Sequence, residues 1–163
     1  MGKTIIVGMA ELNVARDGDI LITLGLGSCV GVTLYDPITH VGGMVHVMLP
    51  ESGNFAKDAA VNKAKFADTG VPNLLNRVLA SGAQRASLIA KMAGGANMFS
   101  SVSNKDVLKI GARNAEAVRL SLRALRIPIT ADETGGTFGR TISIDTTNGS
   151  LLVRTIGHGE KTL

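Results

Sequence analysis

Residues 23–49 read TLGLGSCVGVTLYDPITHVGGMVHVML and hold the chain's one cysteine, Cys29, together with one of its histidines, His46. Between them lies Asp36-Pro37-Ile38-Thr39, in which aspartate and proline occupy the first two positions that they favour in a tight turn. If these four residues form the turn, the flanking strands pair antiparallel and Cys29 falls directly opposite His46. Opposed side chains project to one face with Cβ atoms roughly 5 Å apart. The stretch therefore predicts a hairpin that brings a nucleophilic thiol to an imidazole base.

The register of this hairpin depends on the turn. The same pairing sets Tyr35 opposite His40. A two-residue type I loop matches strand twist less well than the primed turns do, and Gly42-Gly43 offers a place for a bulge. A slip of one residue would send one of the two reactive side chains to the other face of the sheet. The predicted contact between Cys29 and His46 therefore depends on the register of the hairpin.

Each candidate side chain also has a purely structural interpretation. A lone cysteine usually packs as a small hydrophobe, and a lone histidine in a strand is usually a structural residue. Thr23 taken alone is an ordinary β-branched strand residue. His40, beside the turn, and His158, between two glycines, are expected to be exposed and to have no role at Cys29.

Length and composition limit the class of protein. A chain of 163 residues predicts a single domain spanning 1–163. One cysteine and three scattered histidines leave no disulfide framework and no metal-ligand spacing, so neither a metal nor another cofactor is expected. An unpaired thiol suits a reducing cytoplasm. We expect no secretory signal and no membrane insertion, because no apolar run approaches the roughly 20 residues that a spanning helix needs.

The net charge of +4 does not indicate a nucleic-acid partner. The basic residues are dispersed along the chain, and stacking platforms for bases are scarce because there is no tryptophan and one tyrosine. The charge is therefore interpreted as a solvated surface with an inclination toward acidic partners.

Hydrophobic periodicity predicts an α+β domain rather than a doubly wound parallel sheet. One helix is expected to start at a cap on Asp68 or Thr69, with Pro72 in its first turn, and to end at Gly82; a second covers residues 112–126. Residues 50–65 are expected to form a loop beside the strands of Cys29 and His46. Asn148-Gly149 marks a further hairpin. Strands are predicted in the segments 4–14, 20–24, 29–35, 44–49, 86–92, 141–145 and 151–156.

Five blocks of the chain, in order, closely resemble the CheD family of bacterial chemotaxis proteins. They are TLGLGSCV (23–30), HVMLP (46–50), KMAGGANMF (91–99), IGARN (110–114) and DETGG (132–136). The resemblance implies a single-domain layered α/β/β sandwich with mostly antiparallel sheets and two main helices. It also implies a similarity of fold to the catalytic domain of cytotoxic necrotizing factor toxins.

The same resemblance implies an activity and its residues. CheD proteins convert glutamine side chains of methyl-accepting chemotaxis receptors to glutamate, and the family's cysteine, histidine and threonine map onto Cys29, His46 and Thr23. The family also implies a partner, the phosphatase CheC, which restrains the deamidase and whose activity CheD modulates. For such a reaction we expect His46 in its protonated form to lower the pKa of the Cys29 thiol. Backbone N–H groups at Gly27 and Ser28 are candidates for the oxyanion hole.

Other functions would use some of the same residues. A cysteine peptidase would employ the same pair in a groove for extended backbone, and a transglutaminase would pass the acyl group to an amine. In a non-enzymatic interaction module of the chemotaxis pathway, Cys29 would only pack.

Overall fold

The computed structural model describes residues 2–53, 60–98 and 109–163. Within these ranges the chain forms two α-helices and two mixed sheets of five strands each. The helices are α1 (Ala67–Ala80) and α2 (Ile110–Ala124). The strands are β1 (Thr4–Ile6), β2 (Leu12–Ala15), β3 (Ile20–Leu26), β4 (Val30–Asp36), β5 (Val41–Val47), β6 (Ile89–Gly94), β7 (Ile129–Thr134), β8 (Arg140–Asp145), β9 (Leu151–Thr155) and β10 (Gly159–Thr162).

The two sheets and the helices form three layers. The outer sheet has the strand order β1-β3-β8-β9-β10, and the central sheet has the order β2-β5-β4-β6-β7. One hydrophobic core lies between the helices and the central sheet, and a second lies between the two sheets. Pairing is antiparallel except for β1 with β3 and β6 with β7. The predicted α+β sandwich is confirmed; the likeness to the toxin domain stays a prediction.

Strands β4 and β5 lie in the middle of the molecule, and every residue in them is buried. Side chains alternate along a strand, so Val30, Val32 and Leu34 of β4 pack in the core beneath the helices. Tyr35 of β4 and Met44 of β5 pack instead in the core between the sheets. Burial on both faces explains why this hairpin is apolar almost throughout, and why a polar side chain inside it is notable.

The loop of the β4–β5 hairpin is longer than the sequence predicted. Asp36 pairs with Val41, so residues 37–40 form the loop, and the predicted pairing of Tyr35 with His40 is wrong, since Tyr35 pairs with Gly42. His40 closes the loop with φ of 59° and donates its N–H to the carbonyl of Asp36 at 2.8 Å. The ladder then runs to Val30–Val47 without a bulge.

Several predicted boundaries also move. The segment 4–14 divides into β1 and β2, which belong to different sheets. Helix α1 begins at Ala67 with Phe66 as its N-cap, so neither Asp68 nor Thr69 caps it, and Pro72 lies in the second turn rather than the first.

The remaining boundaries shift by a few residues. Helix α2 starts and ends two residues earlier than predicted. Strand β6 follows a single 3₁₀ turn at Arg85–Ser87. Residues 54–59 of the predicted loop, and the final residue of the block 91–99, lie outside the described residues. In the part of the chain that is described, no helix has the length and apolar character to cross a membrane.

Candidate active site

Cys29 and His46 lie on the same face of the central sheet, although they are not directly opposed. His46 pairs with Gly31, so the predicted pairing of His46 with Cys29 is wrong by two residues. A shift of two preserves the face, because side chains alternate with a period of two. Cys29 immediately precedes β4 and packs against the core between the sheets. The chemical expectation of a shared face therefore survives the error in register.

Gly31 leaves the space opposite His46 without a side chain. A Cβ atom at this position would lie 2.5 Å from Cδ1 of Ile142 and 3.2 Å from Cδ1 of Leu26. Both of those residues belong to the core between the sheets. The outer sheet thus packs closely against the backbone of β4 here, next to the imidazole.

The imidazole of His46 is held by a threonine of the outer sheet. Oγ1 of Thr23 lies 2.7 Å from Nδ1 of His46, and the same hydroxyl donates to the carbonyl of Val7 at 2.6 Å. Both side chains are fully buried. A hydroxyl has one proton to donate. Because Thr23 donates this proton to the carbonyl of Val7, its oxygen must be the acceptor in the hydrogen bond with His46, and the N–H at Nδ1 is the donor. The neutral imidazole therefore carries its proton on Nδ1 and has a free lone pair on Nε2.

Nε2 of His46 is buried and has no hydrogen-bond partner among the described residues. A buried polar atom without a partner is uncommon and is costly to maintain. Burial also lowers the pKa of His46, which favours the neutral ring. The site thus contains a neutral imidazole with an unoccupied basic nitrogen, as a general base requires.

The thiol of Cys29 is partly exposed and unpaired. Burial raises the pKa of Cys29, while its own backbone N–H acts in the opposite direction. This net direction is the opposite of the one predicted from the sequence, which expected a thiol acidified by a protonated His46. The physical reason is desolvation, which penalises the charged form of both groups. In both groups, burial therefore shifts the pKa toward the neutral form.

The loop that carries Cys29 is bonded to the end of β6. The carbonyl of Cys29 accepts the N–H of Gly95 at 2.8 Å, and the carbonyl of Gly27 accepts the N–H of Ala96 at 2.9 Å. Gly94 adopts a φ of +109°, and a Cβ atom there would lie 2.3 Å from the carbonyl oxygen of Cys29. Glycine is therefore required where β6 passes Cys29.

The N–H groups of Gly27, Ser28 and Cys29 lie beside the thiol in sequence. In the described ranges, none of the three donates a hydrogen bond to another residue. Free backbone N–H groups beside a nucleophile are the usual components of an oxyanion hole. The predicted candidates Gly27 and Ser28 thus lie beside Cys29 with their donors unused.

Two buried polar side chains support this loop and were not predicted from the sequence. Arg140 is 6% exposed and donates to the carbonyls of Gly94 and Gly135, at 3.0 and 2.7 Å. Asn114 donates to the carbonyls of Ser28 and Met48. Asn114 lies in the block 110–114, where an amide on the buried face of a helix was an available signal; no comparable signal marks Arg140.

The other two histidines are exposed, as predicted. Nδ1 of His40 lies 2.8 Å from the hydroxyl of Tyr35, and the ring of His158 stacks on Phe138 with centroids 3.8 Å apart. Both rings are occupied by these contacts, and neither joins Thr23 and His46.

Comparison with known proteins shows which family this chain is similar to. A family model described as CheD chemotactic sensory transduction matches residues 48–155. The chain is 52% identical over 161 residues to the probable chemoreceptor glutamine deamidase CheD of Lachnoclostridium phytofermentans, covering 99% of both chains. It is 51% identical over 161 residues, again 99% of both chains, to the chemoreceptor glutamine deamidase CheD of Halalkalibacterium halodurans. The family model begins just after His46, whereas the relatives extend across nearly the whole chain.

Proposed function

The chain belongs to the CheD family, and from this premise we propose that it is a protein-glutamine glutaminase that hydrolyses glutamine side chains of methyl-accepting chemotaxis receptors to glutamate. Its named relatives are chemoreceptor glutamine deamidases. The observation that carries the proposal is the hydrogen bond between Thr23 and His46, which leaves the buried Nε2 free on the face of the central sheet that Cys29 shares.

The first half-reaction forms a thioester. Sγ of Cys29 attacks the side-chain carbonyl of the glutamine as its proton passes to Nε2 of His46. The carbonyl oxygen becomes an oxyanion, to which the N–H groups of Gly27, Ser28 and Cys29 can donate hydrogen bonds. Nε2 then gives its proton to the nitrogen of the carboxamide, the C–N bond breaks, and ammonia leaves.

The second half-reaction consumes water. Nε2 of His46 takes a proton from a water molecule, whose oxygen attacks the thioester carbonyl. The C–S bond breaks, the proton returns to the thiolate of Cys29, and the product is glutamate. The net change is the addition of one water and the release of one ammonia, with no oxidant or metal in either step.

Thr23 is proposed to orient the base. By accepting the N–H at Nδ1, it keeps the tautomer in which Nε2 is the basic nitrogen. When the ring becomes an imidazolium, the hydrogen bonds through Thr23 to the carbonyl of Val7 remain in place and stabilise its positive charge. A hydroxyl does so without adding charge, so we expect its contribution to be smaller than that of a carboxylate.

A second role, as a binding partner of the phosphatase CheC, is proposed on the resemblance alone. If binding and chemistry use separable features, Cys29→Ala should still retain CheC in a titration. Loss of binding in that variant would mean that the thiol belongs to the interface. A cytoplasmic location and a single domain over 1–163 remain part of the same proposal.

Mass spectrometry of a receptor cytoplasmic fragment tests the activity. Incubation with the wild-type protein should convert particular glutamines to glutamates with release of ammonia. Cys29→Ala and Cys29→Ser should lose the reaction by several orders of magnitude, because members of one catalytic unit are not additive. Residual activity within about tenfold of wild type would exclude a thiol mechanism. Cleavage of the fragment would indicate a peptidase, and incorporation of a labelled amine would indicate a transglutaminase.

A further inference from the structure

Asn114 joins the two segments that carry the nucleophile and the base. It lies on α2, is fully buried, and donates through Nδ2 to the carbonyl of Ser28 at 2.9 Å and to the carbonyl of Met48 at 2.9 Å. Ser28 precedes the nucleophile, and Met48 follows the strand of His46 by one residue. One amide group thus holds both ends of the site against the helix layer.

The orientation of this amide is determined by its surroundings. An NH₂ group has two protons, and each has an acceptor here. Oδ1 of Asn114 is buried and has no partner in the part of the chain that the structure describes. A flipped amide would turn Oδ1 against two carbonyl oxygens, which is repulsive. Oδ1 of Asn114 is therefore left without a hydrogen bond, while both protons of the NH₂ group are donated.

The bond to Ser28 also determines where the N–H of Cys29 points. In a trans peptide, the carbonyl of one residue and the N–H of the next point in opposite directions. The Ser28 carbonyl points toward α2, so the N–H of Cys29 points away from the helices, toward the side where the Cys29 side chain packs. This N–H also lowers the pKa of the Cys29 thiol, as expected for a donor close to Sγ.

We propose that Asn114 is a positioning residue for the deamidation reaction: by holding the Ser28 carbonyl, it aims the N–H of Cys29 at the oxyanion that forms on an acyl group bonded to Sγ. The inference rests on the proposed function. It assigns Asn114 no contact with the substrate and no proton transfer. Its effect passes through the Ser28–Cys29 peptide.

Two variants and a matched control test this role. Asn114→Ala removes the amide, and Asn114→Asp keeps its size but replaces two donors with oxygens that only accept. Val118→Ala is the control, because Val118 is equally buried one turn further along α2, in the core beneath the helices. We expect kcat to fall about 10²-fold or more in both Asn114 variants with KM little changed, as when an oxyanion donor is lost.

A second readout separates positioning from general loss of structure. Alkylation of Cys29 by iodoacetamide displaces iodide and forms no oxyanion. Measured at a pH at which the thiol is fully ionised, its rate should therefore stay close to wild type in the Asn114 variants. If Asn114→Ala and Val118→Ala, at comparable unfolding midpoints, lose similar amounts of kcat, the positioning role is refuted. If the wild type does not deamidate the fragment at all, the proposed function fails and this inference fails with it.

A measurement on the unmodified protein covers the case in which the variants do not fold. A glutamine-like peptide aldehyde adds the thiol of Cys29 across its carbonyl to give a hemithioacetal, which mimics the tetrahedral intermediate. The ¹H–¹⁵N resonance of Cys29 should then shift strongly downfield, since its N–H becomes hydrogen-bonded to the new oxygen. An adduct that forms without this shift would overturn the proposal.

Discussion

The hydroxyl of Thr23 has one proton, which it donates in a hydrogen bond to the carbonyl of Val7. That single bond decides the tautomer of His46, and with it which ring nitrogen is basic. Thr23→Val keeps the branched shape but deletes the hydroxyl, whereas Thr23→Ser keeps the hydroxyl. We expect Thr23→Val to lose part of the roughly 10²–10⁴-fold that a positioned general base contributes, while Thr23→Ser retains most of the activity. Steady-state kinetics on the receptor fragment measure the difference.

The two Thr23 variants also differ in stability. Thr23→Val leaves the Val7 carbonyl and Nδ1 of His46 buried without their partner, which costs about 1–3 kcal/mol for such groups. Kinetics should therefore be measured well below both unfolding midpoints. Equal activity in the two variants would show that Thr23 is only a strand residue and that chemistry rests on Cys29 and His46.

The thiol of Cys29 gives the second prediction at this scale. Because burial raises its pKa, the rate of alkylation by iodoacetamide should reach its midpoint above the ordinary cysteine value of about 8.5. His46 is neutral in that pH range, so His46→Ala should move the midpoint little. A midpoint well below that of free cysteine, lost in His46→Ala, would instead support the thiolate–imidazolium pair that the sequence suggested.

Among the strands, the end of β6 is the most constrained element of the site. Gly94→Ala would place a Cβ atom 2.3 Å from the backbone oxygen of Cys29, at a φ of +109°. We expect a loss of about 2 kcal/mol or more in the free energy of unfolding, together with reduced deamidation, because the backbone of Cys29 must move. Chemical denaturation and kinetics measure the two effects.

Gly157→Ala is the matched control for Gly94→Ala. Gly157 also has a positive φ, +76°, but a Cβ atom there would meet nothing within 4 Å. It should therefore show the backbone cost alone and leave activity unchanged. If Gly94→Ala loses no more stability and activity than Gly157→Ala does, the close approach of β6 to Cys29 is not important for function.

The β4–β5 hairpin illustrates what the sequence can and cannot predict at the level of elements. The predicted hairpin set Cys29 and His46 on one face, although its loop was two residues too short. Loop length could not be predicted, because it depends on Asp36, which binds the N–H of Ile38 and the hydroxyl of Thr39, and on His40 adopting a positive φ. Those contacts extend the loop to residue 40. Since the error was two residues, it changed the partner of His46 and not its face.

Across the whole molecule, the three-layer order was predictable and the environment of the site was not. Periodicity indicated an α+β domain with two helices on one face of a sheet, and the family resemblance indicated the α/β/β sandwich. Burial of His46 depends on the outer sheet packing over β5, and the support of Cys29 depends on Asn114 and Arg140, which are distant in sequence. Local patterns cannot supply these contacts, so the sequence predicted a charged catalytic pair where desolvation favours a neutral one.

The same burial makes the stability of the whole protein sensitive to acid. Because the pKa of His46 is lowered in the folded state, the unfolded chain binds a proton at higher pH than the folded chain does. Stability should therefore decrease as pH falls through the unfolded histidine value of about 6.5. Free energies of unfolding from chemical denaturation at a series of pH values measure this dependence.

Asp36 contributes in a separate, lower pH range, which allows the two groups to be told apart. Burial disfavours the charged carboxylate, but hydrogen bonds from Ser87, Gln84, Thr39 and Ile38 together hold the pKa of Asp36 well below its ordinary value. Its stabilisation is complete above the unfolded value of about 4 and is lost only below it. His46→Gln should thus flatten the profile between about pH 6.5 and 4.5, and Asp36→Asn should flatten it below about 4. A profile that stays steep near pH 6 in His46→Gln would mean that another group, and not the buried imidazole, couples folding to protons.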